Sequence, residues 1–217
     1  MKVMKFGGTS VGSPDRMKNV ASLITESGDP TFVVLSAMSG TTNSLIEISN
    51  YLYKKNPDGA NEVINTLEKK YMQHVEELYS TDEYKEKTRE FLREEFKYMR
   101  SFTKDIFTSF EEKSIVAQGE IMSTNMVLNY LQEQGIKATL LSAFDFMRTD
   151  KNAEPDAQYI KEKLTAIMTE NEGYQIYITQ GFICLNAYGE IDNLQRGGSD
   201  FTASLIGVAL GAEEIQI

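Results

Sequence analysis

The chain of 217 residues carries a formal net charge of −10, with 41% hydrophobic residues, 25% charged residues and four prolines. This balance excludes a disordered chain and argues against general nucleic-acid or anionic-membrane binding, since either demands a basic surface. A single cysteine, Cys184, allows no internal disulfide, and neither a transmembrane-length apolar run nor a signal-peptide core is present, so a cytoplasmic α/β protein with no membrane or nucleic-acid partner is expected.

Taken in order, the chain opens on the apolar pair Val3-Met4, which runs into Lys5-Phe6-Gly7-Gly8-Thr9-Ser10 and then a helical pattern from Pro14 to about Glu26. This reads as strand, glycine turn, helix. A glycine pair lets backbone amides approach an anion closely, and a lysine at the strand end adds a compact positive charge. By itself the segment reads equally as a plain turn or as a phosphate cradle. The continuous apolar run Thr31 to Ser36 predicts a strand buried on both faces of a parallel sheet. It leads through Ala37-Met38-Ser39-Gly40-Thr41-Thr42-Asn43 into the periodic Leu45, Ile48 and Leu52, with Thr or Asn as the expected cap.

From Ser44 to about Glu133 the pattern is helical. Asn56-Pro57-Asp58-Gly59 breaks the first helix, and Val63, Leu67, Tyr71, Val75 and Leu78 mark the inner face of the next. A further helix is assigned Leu92, Phe96, Met99, Ile106 and Phe110, a stripe that reads as core packing. The single histidine, His74, has no metal-spaced companions and is expected to be structural or exposed. Gln118-Gly119-Glu120 lies in an apolar helical stretch, so Glu120 is expected to be partly buried and to need a partner, either an internal donor or the ammonium of a ligand. Gly119 would permit close packing or close ligand approach.

After Gly135 the pattern gives a strand at Ile136 to Leu141, a polar loop from Ser142 to Asp150 in which Arg148 is a surface or loop-ordering residue, and a helix from Pro155 to Glu170. A strand at Tyr174 to Thr179 meets Gln180-Gly181-Phe182 and a hairpin around Asn186-Ala187-Tyr188-Gly189. Arg196-Gly197-Gly198-Ser199-Asp200 then opens a helix from Phe201 to Leu210, with Ser199 or Asp200 as its expected N-cap and Arg196 as a forked donor for carboxylate or phosphate. Glycine turns thus recur after strands at Gly7-Gly8, Gly40, Gly181 and Gly197-Gly198. In a parallel sheet such turns gather at one edge, where ligands bind, and their recurrence favours an anion site.

With Lys5-Phe6-Gly7-Gly8-Thr9-Ser10-Val11, Val34 to Asn43, Gln118-Gly119-Glu120 and Arg196-Gly197-Gly198-Ser199-Asp200 in order, the sequence resembles the aspartokinases of the amino-acid kinase superfamily from its first residues to its last. The resemblance implies a three-layer αβα sandwich with a mainly parallel central sheet. Within one catalytic domain, residues 1–217, a mostly helical subdomain spans about 44–113. It further implies transfer of the ATP γ-phosphoryl group to the β-carboxylate of L-aspartate, in lysine, threonine and methionine biosynthesis, with Mg²⁺ accompanying ATP and a homo-oligomeric full-length protein. Lys5, Phe6, Gly7 and Gly8 match the phosphate segment, and Thr42, Glu120, Arg196, Gly197, Gly198 and Ser199 match the aspartate contacts. Lys5 and Asp200 are the implied catalytic pair, with Asp200 orienting Lys5 or helping to hold Mg²⁺; no protein metal cluster is expected.

Gln195 and Cys184 stand where the family usually has glycine. The chain stops at Glu214-Ile215-Gln216-Ile217, where the family runs on through adenine- and ribose-binding residues into regulatory ACT domains. The expectation is therefore a fragment, inactive by itself, holding the aspartate site and phosphate loop, and prone to self-associate through an open sheet edge. Kinases of glutamate, acetylglutamate or uridylate, and a non-catalytic amino-acid or anion sensor, are the alternatives. The hydroxyls at Thr41-Thr42 and the Gln-Gly-Glu segment favour aspartate.

Overall fold

The structure, a computed structural model, describes residues 1–104, 106–194 and 198–217. Its frame is a five-stranded sheet built from β1 (Lys2–Phe6), β2 (Thr31–Leu35), β3 (Ala138–Leu140), β4 (Ile176–Gln180) and β7 (Glu214–Gln216), in the order β3-β4-β2-β1-β7 and parallel at every pairing. Strand β2 lies at the centre with all five residues buried. Its side chains alternate between two cores, as the pleat requires: Val33 and Leu35 face one, Phe32 and Val34 the other.

On the Val33 face lie α1 (Pro14–Thr25), α2 (Thr41–Tyr53), α3 (Pro57–Leu78), α4 (Asp82–Ser101) and α5 (Ser109–Glu133). The other face is covered by the four-residue α6 (Ala143–Phe146), by α7 (Ala157–Glu170) and α8 (Gly198–Leu210), and by the antiparallel hairpin of β5 (Ile183–Leu185) and β6 (Ile191–Asn193). This is a helix-covered parallel sheet of the kind read from the sequence.

Local signals explain the helix starts. Ser13 caps α1 ahead of Pro14, and Asn56 caps α3 ahead of Pro57, with the Asn56 side chain accepting from Gly59 N–H at 3.0 Å. The break read at Asn56 is thus also the next helix's beginning.

Elsewhere tertiary structure departs from the pattern. The stripe from Leu92 does not continue through Ile106 and Phe110. Helix α4 ends at Ser101, and a capping box of Thr108 and Glu111 starts α5, which leaves Ile106 86% exposed and Phe110 53% exposed. The Ser142–Asp150 segment is not wholly loop: α6 forms there, capped by Ser142 and anchored where Ala143 N–H donates to Gln180 Oε1 at 2.9 Å. Arg148 proves to be the residue that orders this loop. It pairs with Asp156 at 2.5 Å and stacks on Tyr159, and its charge holds the Asp156 carboxyl below its usual range. Ser199 and Asp200 do not cap α8 but lie within its first turn, because the helix already begins at Gly198, whose φ of +43° suits glycine.

Phe32, fully buried and stacked on Tyr177 at 6.3 Å, ties β2 to β4 on one face. Phe32→Ala is expected to cost about 3–5 kcal/mol of unfolding free energy, read as a lowered urea midpoint with an unchanged slope.

Candidate functional site

Register brings the site together. Phe6 pairs with Leu35 and Leu35 with Gln180, so the carboxyl ends of β1, β2 and β4 stand level and the segments after them emerge side by side. Between them opens a cavity of about 500 Å³ lined by Gly8 and Thr9 after β1, Ser36 to Gly40 after β2, Phe182 after β4, Thr42 and Asn43 of α2, Glu120 of α5, and Gly198 and Ser199 of α8.

The Ser36–Gly40 turn is the hub. Ser36 N–H donates to Phe6 O at 3.2 Å, Ser39 N–H donates to Gly8 O at 3.0 Å, and Ser123 Oγ donates to Ser36 O at 2.7 Å. The Ser36 hydroxyl reaches across to Ser199 Oγ at 2.7 Å, tying the turn to the start of α8. Two glycines are required by close approach: a Cβ on Gly8 would sit 2.7 Å from Ala37 O, and one on Gly119 would sit 2.7 Å from the Ala37 Cβ. Of the two roles expected of Gly119, the structure shows close packing.

Two helix N-termini face the cavity. Helix α2 begins after Gly40, at φ +82°, with no side-chain cap; Thr41 N–H donates to Met38 O, which leaves the Thr42 and Asn43 amides of the first turn for another partner. Helix α8 begins with Gly198 and Ser199 at the same cavity. Partial positive charge at both ends favours carboxylate or phosphate there, and it supplies on an acidic protein what surface lysines do not.

Glu120 is the opposite pole. It is 5% exposed, its Oε1 accepts from Ala37 N–H at 3.2 Å, and among the described residues it forms no ion pair. Burial pushes its carboxyl up to about 7, against the lesser opposing pull of the Ala37 amide. A carboxylate in that position is stabilised by a cation entering the cavity. Together the poles are complementary to a small molecule bearing an ammonium and one or more anionic groups.

Beside this cavity Lys5 Nζ meets Asp200 Oδ1 at 2.5 Å and lies 3.4 Å from the point where a Cβ on Gly7 would stand. Gly7 itself closes the β1 turn, its carbonyl accepting from Ser10 and Val11 N–H, while the Phe6 ring packs into the core. Gly8, Thr42, Glu120, Gly198 and Ser199 therefore share one cavity, with Lys5 and Asp200 paired next to Ser199. Arg196 and Gly197, with Gln195, lie outside the described residues. Cys184 is fully buried in β5, and burial pushes its thiol up to about 12, so it acts as core. Among the described residues no group of three or more His, Cys, Asp or Glu side chains could hold a metal ion.

Residue-by-residue reading missed Phe182. Its φ of +70° is costly for a bulky side chain, about 1–3 kcal/mol, and the surroundings hold it there: its N–H donates to Thr202 Oγ1 at 2.9 Å and its carbonyl accepts from Leu194 N–H at 2.8 Å. Nothing in the sequence signals a left-handed phenylalanine. The only available hint was its place directly after Gly181, where a Cβ would overlap Ser199.

Comparisons with known proteins bear on the family and the fold. The sequence matches the model of the amino acid kinase family over residues 1–217. It is 31% identical to lysine-sensitive aspartokinase 3 of Escherichia coli, over 99% of this chain and 48% of that protein, and 33% identical to the chloroplastic aspartokinase 1 of Arabidopsis thaliana, over 99% and 39%. The crystal structure of E. coli aspartokinase III in complex with aspartate and ADP superposes with a TM-score of 0.84 at 30% identity, covering 99% of this chain and 48% of that one. The chain thus spans about half the length of these relatives or less.

Because the Glu120 carboxyl is raised when folded, it contributes stability that is fully present below about pH 4.5 and lost as pH rises through about 7. Unfolding free energy is expected to fall over that window, and Glu120→Gln should flatten the fall by up to roughly 3 kcal/mol in urea titrations at stepped pH.

Proposed function

The chain belongs to the amino acid kinase family, and from that premise and the two-poled cavity we propose that it carries the substrate half of an aspartokinase. The reaction is transfer of the γ-phosphoryl group of ATP to the β-carboxylate of L-aspartate, in the synthesis of the aspartate-derived amino acids. One observation carries this reading: a buried carboxylate, Glu120, shares a 500 Å³ cavity with the N-termini of α2 and α8. In this reading Glu120 accepts the substrate ammonium, while the first turns of α2, at Thr42, and α8, at Gly198 and Ser199, hold its carboxylates. Arg196 and Gly197 are assigned to the same carboxylates on the family resemblance.

The chemistry asks little of a general base. A carboxylate oxygen forms the new bond to the γ-phosphorus, and the bridging oxygen leaves with ADP, so no proton need be removed from the nucleophile. Positioning and charge neutralisation carry the rate. Lys5 and the Gly7-Gly8 turn fit a phosphoryl group: the ammonium stands over a turn with no side chain above it, and Asp200 holds the ammonium in place. Mg²⁺ would enter with the nucleotide phosphates, and Asp200, the carboxylate paired with Lys5, would assist. The relatives' greater length leaves room for further nucleotide contacts outside the present sequence. A cytoplasmic, reducing location is consistent with one buried thiol.

Calorimetric titration with L-aspartate tests this reading. Binding is expected to tighten as pH rises through about 7, where Glu120 ionises, to be weaker for L-glutamate, and to drop at least tenfold in Glu120→Gln, the order of a buried charge-assisted contact. Absence of aspartate binding at pH 8 would overturn it.

A further inference from the structure

Helix α2 starts without a side-chain cap, yet its first turn must keep a fixed direction if its amides are to serve a ligand. Two consecutive residues of α3 meet the residues on either side of Gly40, one at a backbone carbonyl and one at a side-chain hydroxyl. Lys70 Nζ donates to Ser39 O at 3.0 Å, and the Tyr71 hydroxyl shares a hydrogen bond with Thr41 Oγ1 at 3.0 Å. Lys70 Nζ also lies 3.9 Å from where a Cβ on Gly40 would stand. The two contacts differ in kind, since Tyr71 is fully buried whereas Lys70 is half-buried. Neither side chain lines the cavity.

We propose that Lys70 is a positioning residue: its ammonium grips the Ser39 carbonyl from behind and, with Tyr71 on the Thr41 hydroxyl, holds the Gly40 turn so that the start of α2 faces the ligand. The inference rests on the reading of this cavity as an amino-acid site, and it extends that reading from the sheet edge into the α3–α4 helices. Glycine at the N-cap leaves the turn free to swing, since φ near +80° is one of several conformations open to it. A charge-assisted bond to the carbonyl just before it removes that freedom at a position the ligand does not occupy. Close by, His74 lies one turn along α3, and burial followed by the Lys70 charge holds its imidazole below the usual range.

The test compares the full chain with Lys70→Met, which keeps the apolar stem, and Lys70→Arg, which keeps the charge and a donor. Two readouts are taken: amide hydrogen exchange at Thr41 and Ser44, whose N–H groups donate to Met38 O and Gly40 O, and the dissociation constant for L-aspartate. In Lys70→Met both exchange at these amides and the aspartate dissociation constant are expected to rise about fivefold, the factor for one hydrogen bond of ~1 kcal/mol. Amides of α7 should stay unchanged, and Lys70→Arg should restore both readouts to within about twofold on the same scale. Unchanged exchange at Thr41 and Ser44, or acceleration spread evenly over the chain, would overturn the proposal. If wild type binds no aspartate, the functional reading fails, while exchange at Thr41 and Ser44 still decides the role of Lys70.

Discussion

The close approach of α5 to the turn after β2 is the constraint on which the site depends. Gly119 allows the helix to come so near Ala37 that any side chain at 119 would collide with it, and at that distance Glu120 reaches the Ala37 amide while Ser123 reaches the Ser36 carbonyl. These contacts occupy backbone groups that would otherwise be buried without partners, and they leave the Glu120 carboxylate at the cavity floor. Gly8 presses on the same turn from the β1 side, against the Ala37 carbonyl. The turn is thereby gripped by both neighbours.

This arrangement resolves a conflict in the composition. A protein with net charge −10 repels anions at long range, yet its site is read as one that takes an anionic amino acid and a phosphoryl donor. Helix N-termini provide positive potential only within their first turn, so two of them can serve a cavity without altering the overall charge. A raised carboxyl at Glu120 complements them, because burial disfavours its charged form and the arrival of an ammonium favours it. Lys5, beside the cavity, is paired with Asp200, so its charge is oriented without being broadcast.

The α3–α4 helices also have a place in this picture. They belong to the same core as the Val33 face of the sheet, and through Lys70 and Tyr71 they touch the turn that begins α2. Helix α3, far from the strand ends in sequence, thus meets this turn directly, at the Ser39 carbonyl and the Thr41 hydroxyl.

Much of this was legible from the chain alone. The unbroken apolar run of β2 announced a doubly buried parallel strand, the helical pattern from Pro14 and the break at Asn56-Pro57 marked helix boundaries, and glycines after strands marked turns, three of which (Gly8, Gly40 and Gly198) line one cavity, because each of these signals acts within a few residues. Glu120 could be named as a buried acid from its apolar neighbours. Its Ala37 donor could not, since Ala37 lies 83 residues away and meets it only when α5 packs on β2. The same holds for Phe182, held at positive φ by Thr202 and Leu194, and for Lys70, which looked like one more charge on a solvated helix face. Periodicity also misled at Ile106 and Phe110, where a capping box ended a stripe that spacing alone would have continued. Short-range steric and hydrogen-bonding preferences determined which segments became strands, turns and helices. Which carboxylate faces which amide was decided by register and close packing between distant segments, because those energies exist only after the chain has folded.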